Sequence, residues 1–132
     1  MSVFVDTSAW FAYLVHKDPD YPAATQWMSM NSQPLITSDY IIDETLTLLL
    51  YRASTQAAFQ MGQLFFLYGI AHIEFVSPDD ISNAWKTFEQ YRDKNWSFTD
   101  CTSKVIMERL KIPIAFSFDK HFEQFGTVTR VP

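Results

Sequence analysis

An α/β fold built on a mainly parallel sheet is predicted by two features of the sequence. Its apolar runs are short and unbroken. Val3-Phe4-Val5, Leu35-Ile36 and Ile114-Ala115-Phe116 show no polar alternation, the pattern of strands buried on both faces. Between them lie longer segments with apolar residues at helical spacing, each opened by Ser, Asp or Pro. Strands that alternate with helices in this way form layers, here a three-layer α/β/α arrangement with helices flanking the sheet.

The first strand, Val3 to Val5, runs into Asp6-Thr7-Ser8, where Thr7 or Ser8 is placed to cap a short helix from Ala9 to Val15. His16 to Asp20 is a polar break, and Pro22 suits the first turn of a helix reaching Met30. Pro34 to Thr37 is a second strand. Ser38 or Asp39 then caps a helix with Ile42, Leu46, Leu49 and Leu50 in register. A further helix covers Thr55 to Tyr68, with Gly69 as its stop. Ala71 to Val76 is the third strand. Ser77-Pro78 opens a helix to Arg92, and Ser97-Phe98-Thr99-Asp100 opens another to Lys111. Pro113 to Phe116 is the fourth strand, and Thr127 to Val131 reads as a fifth at the edge. No repeat, low-complexity segment or linker divides residues 1–132, so one domain is expected.

Composition narrows the function. Hydrophobic residues are 48% and aromatics 17% of 132 residues, enough for a packed core and against disorder. The formal charge of -5 argues against a broad basic platform, though not against a nucleic-acid enzyme whose acids are neutralised by metal. Cys101 is the sole cysteine, so no internal disulfide forms, and a reducing, cytoplasmic setting is expected. The N-terminus lacks a basic segment before its apolar start, and Leu64 to Val76 is too short to span a bilayer, so no membrane association is expected. There is no glycine-rich phosphate loop. His16, His72 and Cys101 have no partner at zinc spacing.

The chemistry lies in carboxylates at element junctions. Asp6 follows the first strand, and Asp119 follows the fourth. Asp100 sits in the first turn of a helix. Glu44 lies on the side of its helix shared with Tyr40, Ile41 and Leu48. The carboxyl ends of strands are where open α/β sheets hold ligands. Each acid also has a purely structural explanation: Asp6 ends a strand, Ser97-x-x-Asp100 is a capping box with Asp100 paired to Lys104, and Asp119 caps a short helix. Asp39, Asp43 and Glu44 equally suit a helix N-terminus. Converging carboxylates without basic partners repel, and hard divalent ions such as Mg²⁺ or Mn²⁺ resolve that repulsion. Ions held so activate water and stabilise a leaving oxygen in phosphodiester cleavage.

Val5-Asp6-Thr7-Ser8-Ala9, a Glu after the second strand, Ser97-Phe98-Thr99-Asp100-Cys101 and Ser117-Phe118-Asp119-Lys120-His121-Phe122 with Phe125-Gly126 together resemble the PIN-domain family. They are most similar to the VapC-type ribonuclease toxins of toxin–antitoxin modules, and the likeness covers nearly the whole chain. The resemblance implies a five-stranded sheet of order 3-2-1-4-5 and cleavage of RNA with Mg²⁺ or Mn²⁺. It further implies homodimerisation and a cognate antitoxin. It makes Asp6, Glu44, Asp100 and Asp119 the acidic site. Asp6, Asp100 and Asp119 would hold metal, Glu44 would hold it or orient water, and Thr7 and Ser117 would be the neighbouring hydroxyls. Ser117 stands where Thr is more usual and Cys101 where a small residue is typical. Asp43 beside Glu44 leaves open which acid points inward.

Two other functions compete with this one. An aspartyl-phosphate phosphatase also uses an acid after a central strand, but wants a second acid two residues on, where this chain has Ser8. A PIN-like module that binds RNA or protein without cutting has no need of intact carboxylates. His121 reads as a partly exposed helix histidine rather than a phosphate contact. Trp10, Trp27, Trp85 and Trp96 read as core or interface before base-stacking platforms. Lys104, Lys111, Lys120 and Arg130 read as solvated surface before phosphate guides. Leu46 to Tyr51 and Leu64 to Tyr68 carry more apolar surface than a small core needs, which suits a dimer or antitoxin groove.

Overall fold

The computed structural model describes residues 1–132, with every strand neighbour parallel. The strands are β1 (Val3–Val5), β2 (Leu35–Ser38), β3 (His72–Glu74), β4 (Ile114–Phe116) and β5 (Thr129–Val131), in the order β3-β2-β1-β4-β5. The helices are α1 (Thr7–Leu14), α2 (Tyr21–Met30), α3 (Asp39–Arg52), α4 (Thr55–Phe66), α5 (Pro78–Gln90) and α6 (Phe98–Leu110). Short 3-10 segments cover Arg92–Lys94 and Lys120–Phe125. The edge segment is a true strand, aligned with β4 through Ala115 opposite Arg130.

β1 is the central strand, buried on both faces as its unbroken apolar run predicts. Successive residues point to opposite sides, so Val3, Val5 and Phe116 line one face and Phe4 and Ala115 the other. The first face is covered by Trp27, stacked on Phe116 at 4.2 Å between ring centroids, and by Trp10, whose indole N–H donates to Thr37. Trp10 in turn meets Phe65 of α4 edge to face. The chain steps outward from β1 to β2 to β3, then returns over β1 to β4 through α5 and α6. Right-handed crossovers put this return on the opposite face. Trp10, Phe4, Phe116 and Phe122 are fully enclosed.

The local signals are realised with small shifts. α1 begins at Thr7 rather than Ala9, because Asp6 is its N-cap in place of Thr7 or Ser8 and accepts from the Ser8 amide. Ser38, Ser54, Ser77 and Ser97 cap the four helices that follow them, the last two through reciprocal capping boxes with Asp80 and Asp100. Helix α4 ends two residues before Tyr68, and Gly69 follows at φ +58°, a left-handed turn that favours glycine. The third strand is shorter than the run from Ala71 to Val76, because only His72 to Glu74 finds partners on β2. No helix is long and apolar enough to cross a membrane.

Candidate active site

Parallel strands deliver their carboxyl ends to one edge, and the connections leaving β1 and β4 meet there. Asp6 is the first residue after β1 and is 3% exposed. Its amide donates to the Phe116 carbonyl on β4, and all hydrogen bonds to its carboxylate fall on Oδ2. Ser8 Oγ donates to Oδ2 at 2.8 Å and Ser117 Oγ at 3.0 Å. The same two hydroxyls also accept from backbone, Ser8 from the Phe118 N–H across the gap and Ser117 from the Asp119 N–H within its own loop. Two serines therefore stitch the β1–α1 junction to the β4 exit and leave Asp6 Oδ1 without a hydrogen-bond partner.

Asp119 caps the Lys120–Phe125 segment, accepting from the His121 amide at 2.9 Å. Asp100 occupies the first turn of α6, where one oxygen accepts from the Ser97 amide in the capping box. That oxygen, Oδ2, lies 2.9 Å from His121 Nδ1, and Asp119 Oδ1 lies 3.5 Å from the same nitrogen. Glu44 of α3 is half-buried while Asp43 is exposed, so the inward acid of the pair is Glu44. Thr7 is buried beside Glu44, and its hydroxyl oxygen completes no hydrogen bond.

Electrostatics tie the four acids together. Burial, above all, pushes the Asp6 carboxyl up to about 7; the Ser8 and Ser117 hydroxyls oppose this, while the charges of Asp100 and Asp119 add to it. Burial likewise raises Glu44. The nearby Thr7 hydroxyl opposes the rise without forming a full hydrogen bond, and Asp100, Asp119 and Asp43 reinforce it. No Lys or Arg forms an ion pair with Asp6, Glu44, Asp100 or Asp119. The ion pair read between Asp100 and Lys104 is not made: Lys104 turns along α6 to Glu108 and lies over the Tyr91 ring instead. Arg130 is spent on Glu123 and the Ser117 carbonyl, which fixes the β4 exit from the outside.

The structure thus gathers Asp6, Glu44, Asp100 and Asp119 at one sheet edge, with Thr7 and Ser117 beside them. It adds His121, which lies with Asp100 and Asp119 so that one ligand atom from each falls within 4.8 Å of the others. His121 is partly exposed, as its sequence context implies, but its ring is turned onto the acids. The one clue available in sequence was its position two residues after Asp119.

A model of the family described as PIN domain matches residues 3–128. The 23S rRNA-specific endonuclease VapC20 of Mycobacterium tuberculosis is 30% identical over 126 residues, covering 96% of this chain and 95% of the relative. A VapC ribonuclease of Archaeoglobus fulgidus is 28% identical, over 92% of this chain and 80% of its own. The crystal structure of M. tuberculosis VapC20, a sarcin-ricin loop cleaving toxin, superposes with a TM-score of 0.92 over 98% of this chain and 99% of that one. FitAcB from Neisseria gonorrhoeae shares the fold at 9% identity, with a TM-score of 0.72 over 100% of this chain and 97% of that chain. With a family match from the first strand nearly to the last and a relative aligned end to end, the chain belongs to the PIN domain family, among the VapC ribonucleases.

Proposed function

We propose that this protein is a divalent-metal-dependent endoribonuclease, the toxin of a toxin–antitoxin pair, working as one domain over residues 1–132 in the cytoplasm. The observation that carries the metal dependence is the gathering of Asp6, Glu44, Asp100 and Asp119 at one sheet edge with no Lys or Arg paired to any of them. A fold that desolvates acids beside one another without a Lys or Arg is costly unless a cation joins them. The donor set fits a hard divalent ion: carboxylate oxygens of Asp100 and Asp119, the unengaged Oδ1 of Asp6, and an orphaned hydroxyl at Thr7. Mg²⁺ or Mn²⁺ is the ion expected. When bound, it supplies positive charge to the phosphoryl and leaving oxygens and makes water more acidic.

The chain's own residues then divide the work. Asp6 through Oδ1, Asp100 and Asp119 would hold the ion, Asp6 being fixed in place by Ser8 and Ser117 at its other oxygen. Glu44, its carboxyl raised above the ordinary range, orients the attacking water and accepts a hydrogen bond from it. Ser117 acts through Asp6 and through the Asp119 amide. No side chain serves as nucleophile, so no covalent enzyme intermediate forms. The substrate is RNA, as for the VapC relatives. An apolar groove of ≈ 620 Å³ between α3 and α4, lined by Leu46, Leu50, Phe59, Phe66 and Leu67, supports a homodimer contact and seating of an antitoxin helix.

The test is cleavage of total RNA, 23S rRNA included, with the 5′ ends of fragments sequenced. Wild type should cut only with Mg²⁺ or Mn²⁺ present. Asp100→Asn and Asp119→Asn should each lose at least about 100-fold in rate with unchanged circular dichroism. Cutting that persists in EDTA or in both variants refutes the mechanism.

A further inference from the structure

We propose that His121 is itself a ligand of the metal, through Nδ1, and that the mixed nitrogen–oxygen site therefore favours Mn²⁺ over Mg²⁺. The inference rests on the metal-dependent reading above. It begins with how the ring is held. Phe122 and Phe125 are buried and anchor the 3-10 segment, and the His121 amide is tied to Asp119 Oδ1. The backbone thus presents the imidazole to the acids: Nδ1 stands 2.9 Å from Asp100 Oδ2 and 3.5 Å from Asp119 Oδ1.

Those separations are what neighbouring ligands of one ion require. Two donors each about 2.1 Å from a cation, at right angles, lie about 3 Å from one another. The 2.9 and 3.5 Å edges bracket that value, and one ligand atom from each of Asp100, Asp119 and His121 falls within 4.8 Å of the others. In the metal-free chain Nδ1–H donates to Asp100 Oδ2. His121 Nε2 has no partner, so it is the nitrogen free to carry the ring proton when Nδ1 turns its lone pair to an ion. The Thr7 hydroxyl, on a residue 5% exposed and without a partner, independently marks the Glu44 side of this edge as awaiting a further group.

Selectivity follows from the donor types. Mg²⁺ takes oxygen ligands and gives up water reluctantly, whereas imidazole nitrogen strengthens binding of first-row transition ions. Four carboxylates alone would suit either ion. One nitrogen among them tips the balance.

The experiment is electron paramagnetic resonance of Mn²⁺ titrated with the full chain, followed by spin-echo measurement of the bound ion. Addition of protein should quench the signal of free Mn²⁺. The echo should carry nitrogen-14 modulation that changes when histidine is labelled with nitrogen-15. His121→Ala should abolish the modulation, which assigns it among the three histidines, His16, His72 and His121. It should also weaken Mn²⁺ by about tenfold or more, and Mg²⁺, measured by competition, by less than about threefold. His121→Asn, which keeps a polar group beside Asp100, should also lack the modulation. Bound Mn²⁺ without histidine modulation in the wild type overturns this inference and leaves the metal reading standing. Mn²⁺ that stays free overturns both.

Discussion

Replacing Asp6 by Asn should make the metal-free protein more stable at neutral and alkaline pH and change little in acid. Asp6 is 3% exposed, and its carboxyl is raised from 3.8 to about 7, first by burial and then by the charges of Asp100 and Asp119. A rise of that size costs the folded state up to about 4 kcal/mol once the group is ionised. Its sign is the reverse of ordinary acid denaturation. Below pH 3.8 Asp6 is protonated in both folded and unfolded chains and carries no penalty; stability is then lost as the pH climbs through about 7. Asn is neutral throughout. Its Oδ1 can take the hydrogen bonds from Ser8 and Ser117, and its amide replaces the carboxylate oxygen that has no partner. Allowing for relaxation, the variant should gain about 2–4 kcal/mol at pH 8 in EDTA, a rise of roughly 1–2 M in the urea midpoint. The two proteins should converge near pH 4. Saturating Mn²⁺ should narrow the gap at pH 8, since ten times Kd adds about 1.4 kcal/mol to whichever form binds it. A gap that does not change between pH 4 and 8, or a variant weaker than wild type in EDTA, would show that Asp6 is comfortable where it is.

Other perturbations read other parts of the molecule. Arg109 of α6 grips Asp80 of α5 through two nitrogens at 2.9 and 2.8 Å and also reaches Glu74. Arg109→Ala strands a buried carboxylate and should cost about 2–3 kcal/mol in urea unfolding at pH 7. Burial acts to raise the Asp80 carboxyl, but Arg109 and Ser77 outweigh it and hold it low, so this deficit should shrink as the pH falls through the carboxylate range; a deficit constant with pH would count against the ion pair. Cys101 is fully buried, and burial with the Asp100 charge pushes its thiol up to about 11, so iodoacetamide at pH 8 should label it only in denaturant; rapid native labelling would refute that packing. Phe59, 63% exposed in the α3–α4 groove, should be dispensable for folding but not for association. Light scattering at tens of micromolar should show Phe59→Glu smaller than wild type, and a strictly monomeric wild type would refute the dimer contact.

Local signals carried most of the fold into view from sequence. Short apolar runs, serine caps and Pro78 at a helix start each state a backbone preference within a few residues of where it acts. The strand order is another matter. Which strands become neighbours is decided by crossovers tens of residues long, and here it was reached through family likeness rather than through any one residue. The four acids were legible because a carboxylate at the end of a buried strand or in the first turn of a helix is a local oddity. His121 was not, since the contact that turns its ring spans 21 positions between two elements. Lys104 failed for a related reason: Asp100 and Glu108 are both four residues away, and only tertiary placement aims Asp100 inward while Glu108 stays on the surface.

Three of the site acids also start or cap a helical segment: Asp6 for α1, Asp100 for α6, Asp119 for the 3-10 segment. For an endoribonuclease toxin of the kind proposed above, this divides the routes to inactivation. At the two N-caps, Asp6 and Asp119, Asn serves as well as Asp does, whereas Ala forfeits about 0.5–2 kcal/mol. Escape through Asp→Asn yields a folded, silent protein that still offers the α3–α4 groove to whatever binds there. Escape through Ala or a bulkier residue loosens the fold and hands the chain to proteases. Silenced copies of the first kind should therefore persist as sponges for the proposed antitoxin, leaving less of it to restrain any active copy in the same cell.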